Sequence, residues 1–302
     1  MAEKNTKKDQ NKKPSLPPSG FSVVWKEVWG NWASRIAFII IVAILLITFV
    51  GSLFFNQSKV AEINILDSYV GWFTNGHIFG TDDGGRDVLT MMIVGGRNSI
   101  MIGLGVTFLT EVIGLLVGLI AGYYGGIADN VIMRVVDFWQ VLPSTPIIIV
   151  LITTLKSYNS VTLILLITLF GWTTTARYFR SFILTQRERE YVLASKTSGS
   201  SNLRIMFREV LPNITSMIII DVVLGIAGNI GIETALSFIG YGLPISTPSL
   251  GTLIGFASDP VNVINRPWLW LPATILLLII SLSINYIGRA IQRAADARQR
   301  EN

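Results

Sequence analysis

The sequence reads IAFIIIVAILLITFVGSLFF over residues 36–55, where no side chain carries a charge. A helix of about 20 mostly apolar residues can cross the hydrocarbon core of a bilayer. Of the 302 residues in the chain, 51% are hydrophobic and 14% are charged, and the mean hydropathy is +0.55. Soluble domains carry about 25% charged residues. The composition therefore predicts an integral membrane protein.

Five further apolar stretches are long enough to cross a membrane, so the sequence predicts an all-α, polytopic membrane protein with six transmembrane helices. The six stretches are residues 36–55, 99–122, 131–155, 160–176, 214–239 and 268–288. Pro143 and Pro146 remove backbone donors and predict a kink in the third stretch. Gly114, Gly118 and Gly122 recur every four residues in the second stretch, where small residues let a neighbouring helix approach closely.

The positions of lysine and arginine predict the orientation in the membrane. With the N-terminus inside, 19 of the 24 Lys and Arg residues fall on the inner side, in segments 1–35, 123–134, 177–209 and 289–302. Cytoplasmic loops carry the excess of these residues, so we expect both termini in the cytosol. We interpret residues 1–34 as a cytosolic tail, disordered up to residue 20, and residues 291–302 as a second tail. A charged region of about 35 residues is too long for a signal peptide.

Residue types that carry catalysis or bind metals are scarce. The chain has no Cys and a single His, His77, which excludes thiolate sites and histidine clusters. It has no phosphate-binding loop of the form GxxxxGK[ST], so another chain would have to bind ATP. Asp82, Asp83 and Asp87 form an acidic group, but Asp and Gly favour turns. We interpret this stretch as a turn in which Asp87 caps the next helix and Arg86 pairs locally, and we predict no catalytic or metal site.

Three acidic residues, Glu111, Asp221 and Glu233, lie within predicted spans and have no charged partner nearby in sequence. A charge at mid-bilayer costs a few kcal/mol or more. Each residue therefore either faces a solute pathway or proton relay, or is hydrogen-bonded between helices or near a span end. We favour the structural interpretation and keep the three as candidate pathway-facing residues. Arg134 and Asp137 are three residues apart and are predicted to pair on one helix face.

A polar connector at residues 177–213 contains seven basic and three acidic residues. Glu188 and Glu190 suit the positive end of a helix, Gly199 fits its C-terminus, and Pro212 ends a second helix. An apolar stripe recurs at helical spacing in that second helix, at Leu203, Met206, Phe207 and Val210. The exposed first helix suits either docking into a groove of another protein or resting on anionic lipid. The residues alone do not decide between these two partners.

Residues 190–213, EYVLASKTSGSSNLRIMFREVLPN, resemble the EAA loop of ABC-importer membrane subunits. The glycine of that pattern is Gly199 here, and its Leu-Pro is Leu211-Pro212. The Glu-Ala-Ala positions are held by Leu193, Ala194 and Ser195. Of these only Ala194 matches, and Glu209 takes a position that is hydrophobic in the pattern. The loop is therefore similar to the EAA loop, with two substitutions of apolar or small residues by polar ones.

Two further stretches carry the same resemblance. Residues 77–100, HIFGTDDGGRDVLTMMIVGGRNSI, and residues 234–254, TALSFIGYGLPISTPSLGTLI, are similar to segments of the C-type permease subunit of oligopeptide and dipeptide ABC importers. The resemblance covers residues 35 to 290. It implies the permease fold of a type I ABC importer in the bacterial plasma membrane. Residues 35–98 would hold the first span and an extracytoplasmic segment, 99–290 the core permease domain, and 188–213 the coupling loop.

The resemblance also implies partners, because these importers are assembled from several chains. They are a second homologous permease subunit, two cytosolic ATPase subunits that bind ATP and Mg, and an extracytoplasmic peptide-binding protein. No cofactor and no nucleic acid are implied for this chain, which also contacts membrane lipid. Residues implied in coupling to the ATPases are Glu190, Tyr191, Ala194, Ser195, Gly199, Leu211 and Pro212.

The sequence also suggests three functions other than peptide import. A permease of the same fold could carry nickel or another small solute, since related importers share these motifs. An ion-coupled secondary carrier could use Glu111 or Asp221, although such carriers often show internal repeats and none is evident. A membrane hydrolase could be built on His77 and the nearby Asp residues, but no serine elbow or second His supports it.

Overall fold

The computed structural model describes residues 20–55, 60, 62–244 and 246–301. Within these residues the secondary structure is helical and contains no β-strand beyond two isolated bridges. The helices before the connector are α1 (Gly20–Gly30), α2 (Trp32–Leu45), α3 (Val88–Tyr124), α4 (Gly126–Val141), α5 (Ser144–Thr154) and α6 (Ser160–Gln186). An all-α fold is what the sequence predicts.

The connector and the last part of the chain add six more helices. They are α7 (Glu190–Thr197), α8 (Asn202–Ile205, a π turn Met206–Val210 and a last turn Leu211–Asn213), α9 (Thr215–Phe238), α10 (Leu250–Gly255), α11 (Pro260–Asn265) and α12 (Leu271–Glu301). A short 3-10 turn, Pro267–Leu269, leads into α12.

Five helical segments of the described chain are long and apolar enough to cross a membrane. The five are Trp32–Phe54, Val88–Tyr124, Ser160–Gln186, Thr215–Phe238 and Pro267–Ala295. The shorter helices α4 and α5, which meet at an angle of 71°, pass the same test only as a pair. The structure therefore has five candidate spans, and it has the six that the sequence predicts if the bent pair is one broken span.

Pro143 causes the break between α4 and α5. A residue before proline is driven out of the helical region, and Leu142 has φ −66° and ψ 132°. Pro146 lies in the first turn of α5, where a backbone N–H has no helical acceptor to lose. The predicted kink is therefore real at Pro143 and wrong at Pro146.

Helix ends extend beyond the apolar stretches that predicted them. The 37-residue α3 begins at Val88 rather than at residue 99, and α6 continues to Gln186 rather than ending at residue 176. A helix of this length spans roughly 55 Å, which exceeds the ~30 Å hydrocarbon core. Hydropathy marks the part of a helix inside lipid, and these helices continue past it.

The glycine stripe of α3 lies against α6, as the sequence predicts. Added Cβ atoms would collide with Thr175 at Gly114, with the Ala176 carbonyl at Gly118, and with Ile183 at Gly122. The absence of side chains at these three positions therefore lets the two backbones approach closely. The pair α3–α6 forms the centre of the bundle.

Two ion pairs connect α6 to α4, in place of the predicted ion pair within α4. Arg180 holds the Asp129 carboxylate with two hydrogen bonds, and Arg177 lies 2.5 Å from the Asp137 carboxylate. The predicted pairing of Arg134 with Asp137 is therefore wrong. The reason is that packing brings α6 alongside α4, so Asp137 meets a cation from another helix.

Three contacts define the two ends of the bundle. At the connector end the Tyr123 hydroxyl donates to Asn202 Oδ1 at 2.9 Å. At the opposite end Trp268 Nε1 donates to the Thr81 carbonyl at 3.1 Å. The side chain of Arg293 in α12 reaches Ser34 at the start of α2. Ile291 and Ala295 of α12 pack against Ile220 in the first turns of α9, next to the connector, so the described ends of the chain both lie at the connector end.

Part of the predicted N-terminal tail is structured. Residues 20–30 form α1, where Val28 is buried and Glu27 lies 3.9 Å from Arg293 of α12. Trp29 packs near Phe38 of α2. Residues 1–19, which we predicted to be disordered, lie outside the described residues. The helical part of the tail thus packs on the first and last helices.

Candidate functional site

The connector forms a short helix closed by a glycine turn. α7 begins at Glu190, whose carboxylate lies in the first turn, and ends at Thr197. Gly199 has a φ of +79° and donates its N–H to the Lys196 carbonyl, while Ser200 donates to the Ser195 carbonyl, both at 3.1 Å. These two bonds form a Schellman motif, which glycine favours because of its positive φ. The predicted turn at Gly199 is confirmed.

One face of α7 is packed into the protein and the other is free. Val192 is fully buried, and Tyr191 is half-buried with its hydroxyl 3.0 Å from Gln186 Oε1. Lys196 is exposed, and the other exposed residues recur at helical spacing, at Glu190, Leu193, Ala194 and Thr197. Tyr191 thus packs against the protein more than the sequence indicates. Leu193, 50% exposed, is an apolar residue on the free face of α7 in addition to the predicted coupling residues.

α8 buries a different stripe from the predicted one. Its buried residues are Ile205, Met206 and Val210, whereas Leu203 is 63% exposed and Phe207 47% exposed. The stripe prediction is correct for Met206 and Val210 and wrong for the other two. The π turn at Met206–Val210 is the physical reason, because i→i+5 bonding rotates the helix away from the regular 3.6-residue period.

Leu211 and Pro212 lie at the end of α8, one residue before the bend into α9. Leu211 packs against the cluster that contains Val192, Phe179 and Ile183. Pro212 is exposed and lies in the last turn of α8, one residue before the helix ends at Asn213, as expected for a residue that cannot continue a helix. The connector is therefore attached to α6 and continues directly into α9.

A shallow depression lies beside α7 at the connector end. It has a volume of about 300 Å³ and is lined by Tyr123, Tyr124, Arg187, Glu188, Leu193 and Lys196. The Lys196 ammonium lies 4.9 Å from the centroid of the Tyr123 ring, a cation–π arrangement. The depression combines aromatic, aliphatic and charged side chains, as protein-docking surfaces do.

The three acidic residues predicted within spans meet two different environments. Glu111 of α3 and Asp221 of α9 have facing side chains. Glu111 is 7% exposed and its Oε2 has no hydrogen-bond partner among the described residues. Distant in sequence, these two groups are brought together by the packing of α3 on α9.

Glu233 is fully buried and accepts three serine hydroxyls. Ser99 Oγ donates to Oε2 at 3.0 Å, and Ser237 Oγ and Ser249 Oγ donate to Oε1 at 2.8 and 2.7 Å. The Leu250 N–H in turn donates to Ser99 Oγ at 3.0 Å. Glu233 therefore connects α3, α9 and α10, and its side chain is fully buried among the described residues.

The acidic stretch at the opposite end folds as a turn. Asp82 is buried and accepts from Arg86 Nε at 2.7 Å, and Asp83 lies 3.0 Å from the same guanidinium. Burial raises the pKa of the Asp82 carboxyl, against the lowering effect of its hydrogen bond to the Arg86 backbone. Asp87 caps α3 by accepting the Thr90 N–H at 2.8 Å. The predicted turn, cap and local pairing are all confirmed.

His77, for which the sequence predicts no partner, lies with its Nδ1 2.8 Å from the Asp87 carboxylate. Both residues line a cavity of about 630 Å³ at the opposite end. No group of three side chains suited to holding a metal ion occurs in the part of the chain described. Asp87 thus holds His77 with one carboxylate oxygen and caps α3 with the other.

Comparison with known proteins decides the family. Residues 114–301 match the family described as binding-protein-dependent transport system inner membrane component. The chain belongs to this family. It is thus a permease subunit and a multi-pass protein of a bacterial membrane, as its sequence predicts.

Close relatives of this permease extend the match to most of its length. It is 47% identical over 266 residues to the oligopeptide transport system permease protein OppC of Lactococcus lactis subsp. lactis (strain IL1403), covering 88% of this chain and 90% of that protein. It is 32% identical to OppC of Bacillus subtilis (strain 168), covering 92% and 91%. The predicted resemblance is confirmed.

A solved structure shares the fold of this permease. The methionine ABC transporter MetNI, in an inward-facing conformation, contains a chain with a TM-score of 0.56 and 18% identity, covering 68% of this chain and 97% of that one. At this identity the likeness concerns the fold alone. It confirms the prediction of an ABC importer permease fold.

Proposed function

We propose that this chain forms half of the translocation pathway of an ATP-driven importer of oligopeptides or dipeptides. Its similarity to oligopeptide permeases over most of the chain supports the substrate class. The observation that carries the coupling role is α7, a helix held by its buried Val192 and left exposed at Leu193 and Ala194. A short exposed helix with apolar and small residues suits a groove in another protein.

Energy would enter the permease through α7. Its exposed face would dock on a cytosolic ATPase subunit, and closure of the ATPase dimer on ATP would then move α7. Because α7 and α8 share an apolar cluster with α6 and α8 continues into α9, the displacement would reach two spans. Such a switch requires that the ATPases bind the two permease conformations with different affinity.

The orientation that this mechanism needs places the connector end in the cytosol. The connector carries seven of the 24 Lys and Arg residues, as expected for a cytoplasmic loop. The segments 62–87 and 240–267 would then face the outside. There they would meet the peptide-binding protein that delivers the solute.

The remaining partners would supply the second half of the pathway and the hydrolysis of ATP. A second homologous permease would complete the pathway, and two ATPase subunits would bind ATP and Mg and carry out hydrolysis. The coupling residues would be Glu190, Tyr191, Ala194, Ser195, Gly199, Leu211 and Pro212. Tyr191, Ser195 and Leu211 are at least half-buried, so they would support the docked face rather than form it.

One structural feature favours a second candidate, an ion-coupled carrier. Facing carboxyl groups within a bundle, such as those of Glu111 and Asp221, are typical of proton or cation pathways. An importer of nickel or another small solute would share the coupling machinery. These functions differ from the peptide importer in energy source and in substrate, so a transport assay separates them.

The test is purification of this permease from its native membrane followed by reconstitution of the complex in proteoliposomes. We expect ATPase subunits and a second permease to co-purify, and peptide uptake to require the binding protein and internal ATP. Uptake driven by an ion gradient without ATPases would contradict the proposal. Nickel uptake in place of peptide uptake would retain the mechanism and overturn the substrate.

A further inference from the structure

One hydrogen bond joins α7 to α8 across the glycine turn. Ser195 Oγ donates to Glu209 Oε1 at 2.7 Å, and both side chains are half-buried. Two neighbouring hydroxyls of the same helix behave differently, since Thr197 and Ser198 both donate back to the Ala194 carbonyl. Ser195 thus directs its hydroxyl out of its own helix and onto the next one.

Glu209 is itself firmly placed. The next residue, Val210, is fully buried in the cluster with Phe179 and Ile183 of α6. The Glu209 carbonyl accepts from Asn213 Nδ2 at 2.7 Å, within the last turn of α8. The carboxylate therefore projects from a helix that is fixed to a membrane span.

Apolar burial alone would leave the rotation of α7 loosely determined. α7 is anchored by Val192, and the hydrophobic effect is non-directional. A hydrogen bond has a preferred angle and distance, so the bond from Ser195 to Glu209 restricts rotation about that anchor. Together with the contacts of Tyr191 with α6 and of Lys196 with α3, it sets which side chains of α7 point outward.

We infer that Ser195 and Glu209 are a positioning pair that sets the orientation of α7 and presents Leu193 and Ala194 to the ATPase. This inference rests on the proposed function. Neither residue is required to touch the transported solute or the nucleotide. The pair acts through α7.

The same contact explains two departures from the EAA pattern. Ser195 stands where the pattern has Ala, and Glu209 stands where it has a hydrophobic residue. Removing one partner of a hydrogen bond leaves the other unsatisfied, whereas replacing both by apolar groups can be nearly neutral. The serine and the glutamate therefore belong together, and each alone would be unfavourable.

The experiment uses the complete reconstituted complex and measures solute transported per ATP hydrolysed. Ser195→Ala and Glu209→Ala should each lower this ratio roughly three- to ten-fold, as expected from the net loss of one ordinary hydrogen bond between half-buried groups. Ser195→Thr and Glu209→Gln retain a donor and an acceptor and should stay near wild type. The double variant Ser195→Ala/Glu209→Leu should recover to within about two-fold of wild type.

A matched control removes a hydroxyl elsewhere at this end. Ser181→Ala deletes a hydroxyl that bonds to the Tyr178 carbonyl within α6, and it should leave the ratio unchanged. A wild-type ratio in Ser195→Ala, or a double variant as impaired as the sum of the single ones, would overturn the inference. Failure of wild-type uptake to require ATP would instead overturn the proposed function.

Discussion

Glu233 and Ser249 are linked by a hydrogen bond of 2.7 Å that connects the end of α9 to the start of α10. Ser249 also caps α10, because its hydroxyl accepts the Thr252 N–H at 3.0 Å. Together with Ser99 of α3, these contacts join three elements around one buried carboxyl group. The loop at this end is therefore fastened to the bundle through Glu233.

Replacement of Glu233 by Ala should destabilise the permease. It would leave three serine hydroxyls without their acceptor and open a cavity, at a cost of about 3 kcal/mol. Glu233→Gln keeps an acceptor for two of the serines and should cost less than half as much. Thermal unfolding in detergent measures the difference, with Glu188→Ala as the control because its side chain is 76% exposed. Equal melting temperatures for Glu233→Ala and wild type would contradict this role.

A side chain at Gly118 should separate α3 from α6. Its Cβ would lie within contact distance of the Ala176 carbonyl and of Phe179, so Gly118→Val should lower the free energy of unfolding by about 3 kcal/mol. The control is Gly231→Ala in α9, where an added Cβ meets nothing within 4 Å and helix propensity improves by up to about 1 kcal/mol. Size-exclusion profiles and melting curves compare the two. A stable, monodisperse Gly118→Val variant would rule out the close approach.

Substitutions at Gly199 should lower solute uptake in the order in which the new residues disfavour a positive φ. Its φ of +79° disfavours other residues by about 1–2 kcal/mol, and Asn tolerates this region better than Ala or Val. We therefore expect uptake to fall from wild type through Gly199→Asn and Gly199→Ala to Gly199→Val, with membrane insertion intact. A Cβ added at Gly199 meets no described residue beyond its two chain neighbours within 4 Å, so the comparison reports backbone preference rather than a clash with those residues.

Gly199→Asp tests whether the glycine turn is buried against a partner subunit in the assembled complex. Asp also tolerates a positive φ, so its backbone cost resembles that of Asn. If α7 inserts into a partner groove, the added charge should abolish uptake where Asn does not. Equal uptake by the Asp and Asn variants would argue against burial of the turn in the complex.

Leu193→Asp should weaken binding of the ATPases. Leu193 is 50% exposed on the free face of α7, and burying a charge at an apolar interface without a partner is costly. We expect at least tenfold weaker ATPase association, measured by titrating purified ATPase onto the permease in nanodiscs. Leu66→Asp is the matched control, because Leu66 is 95% exposed at the opposite end of the bundle. Equal loss in both variants would mean that α7 is not the docking helix.

Local sequence patterns predicted the features that depend on neighbouring residues. The apolar stretches gave the spans, Pro143 the break, Asp87 the helix cap and Gly199 the Schellman turn. Each of these is determined by backbone chemistry within a few residues. The EAA-like spacing from Gly199 to Leu211 also identified the connector before its shape was known.

The stripe of α8 shows where such patterns stop being sufficient. Regular helical spacing places Leu203 and Phe207 inside, but the π turn rotates them outward and leaves Met206 and Val210 buried. A π turn is stabilised by the packing around it rather than by a sequence signal. Asp137 is a similar case, because its partner Arg177 comes from a helix forty residues away.

The sequence by itself determined that this is a polytopic helical membrane protein with a polar connector of two helices, because hydropathy and backbone preferences act locally. Only the tertiary structure brought Glu111 to Asp221, Ser99 and Ser249 to Glu233, and Ser195 to Glu209. These contacts join residues on different helices, and their formation depends on helix rotation and packing. Helix rotation and packing are not determined by residue patterns over a few neighbouring positions of the sequence.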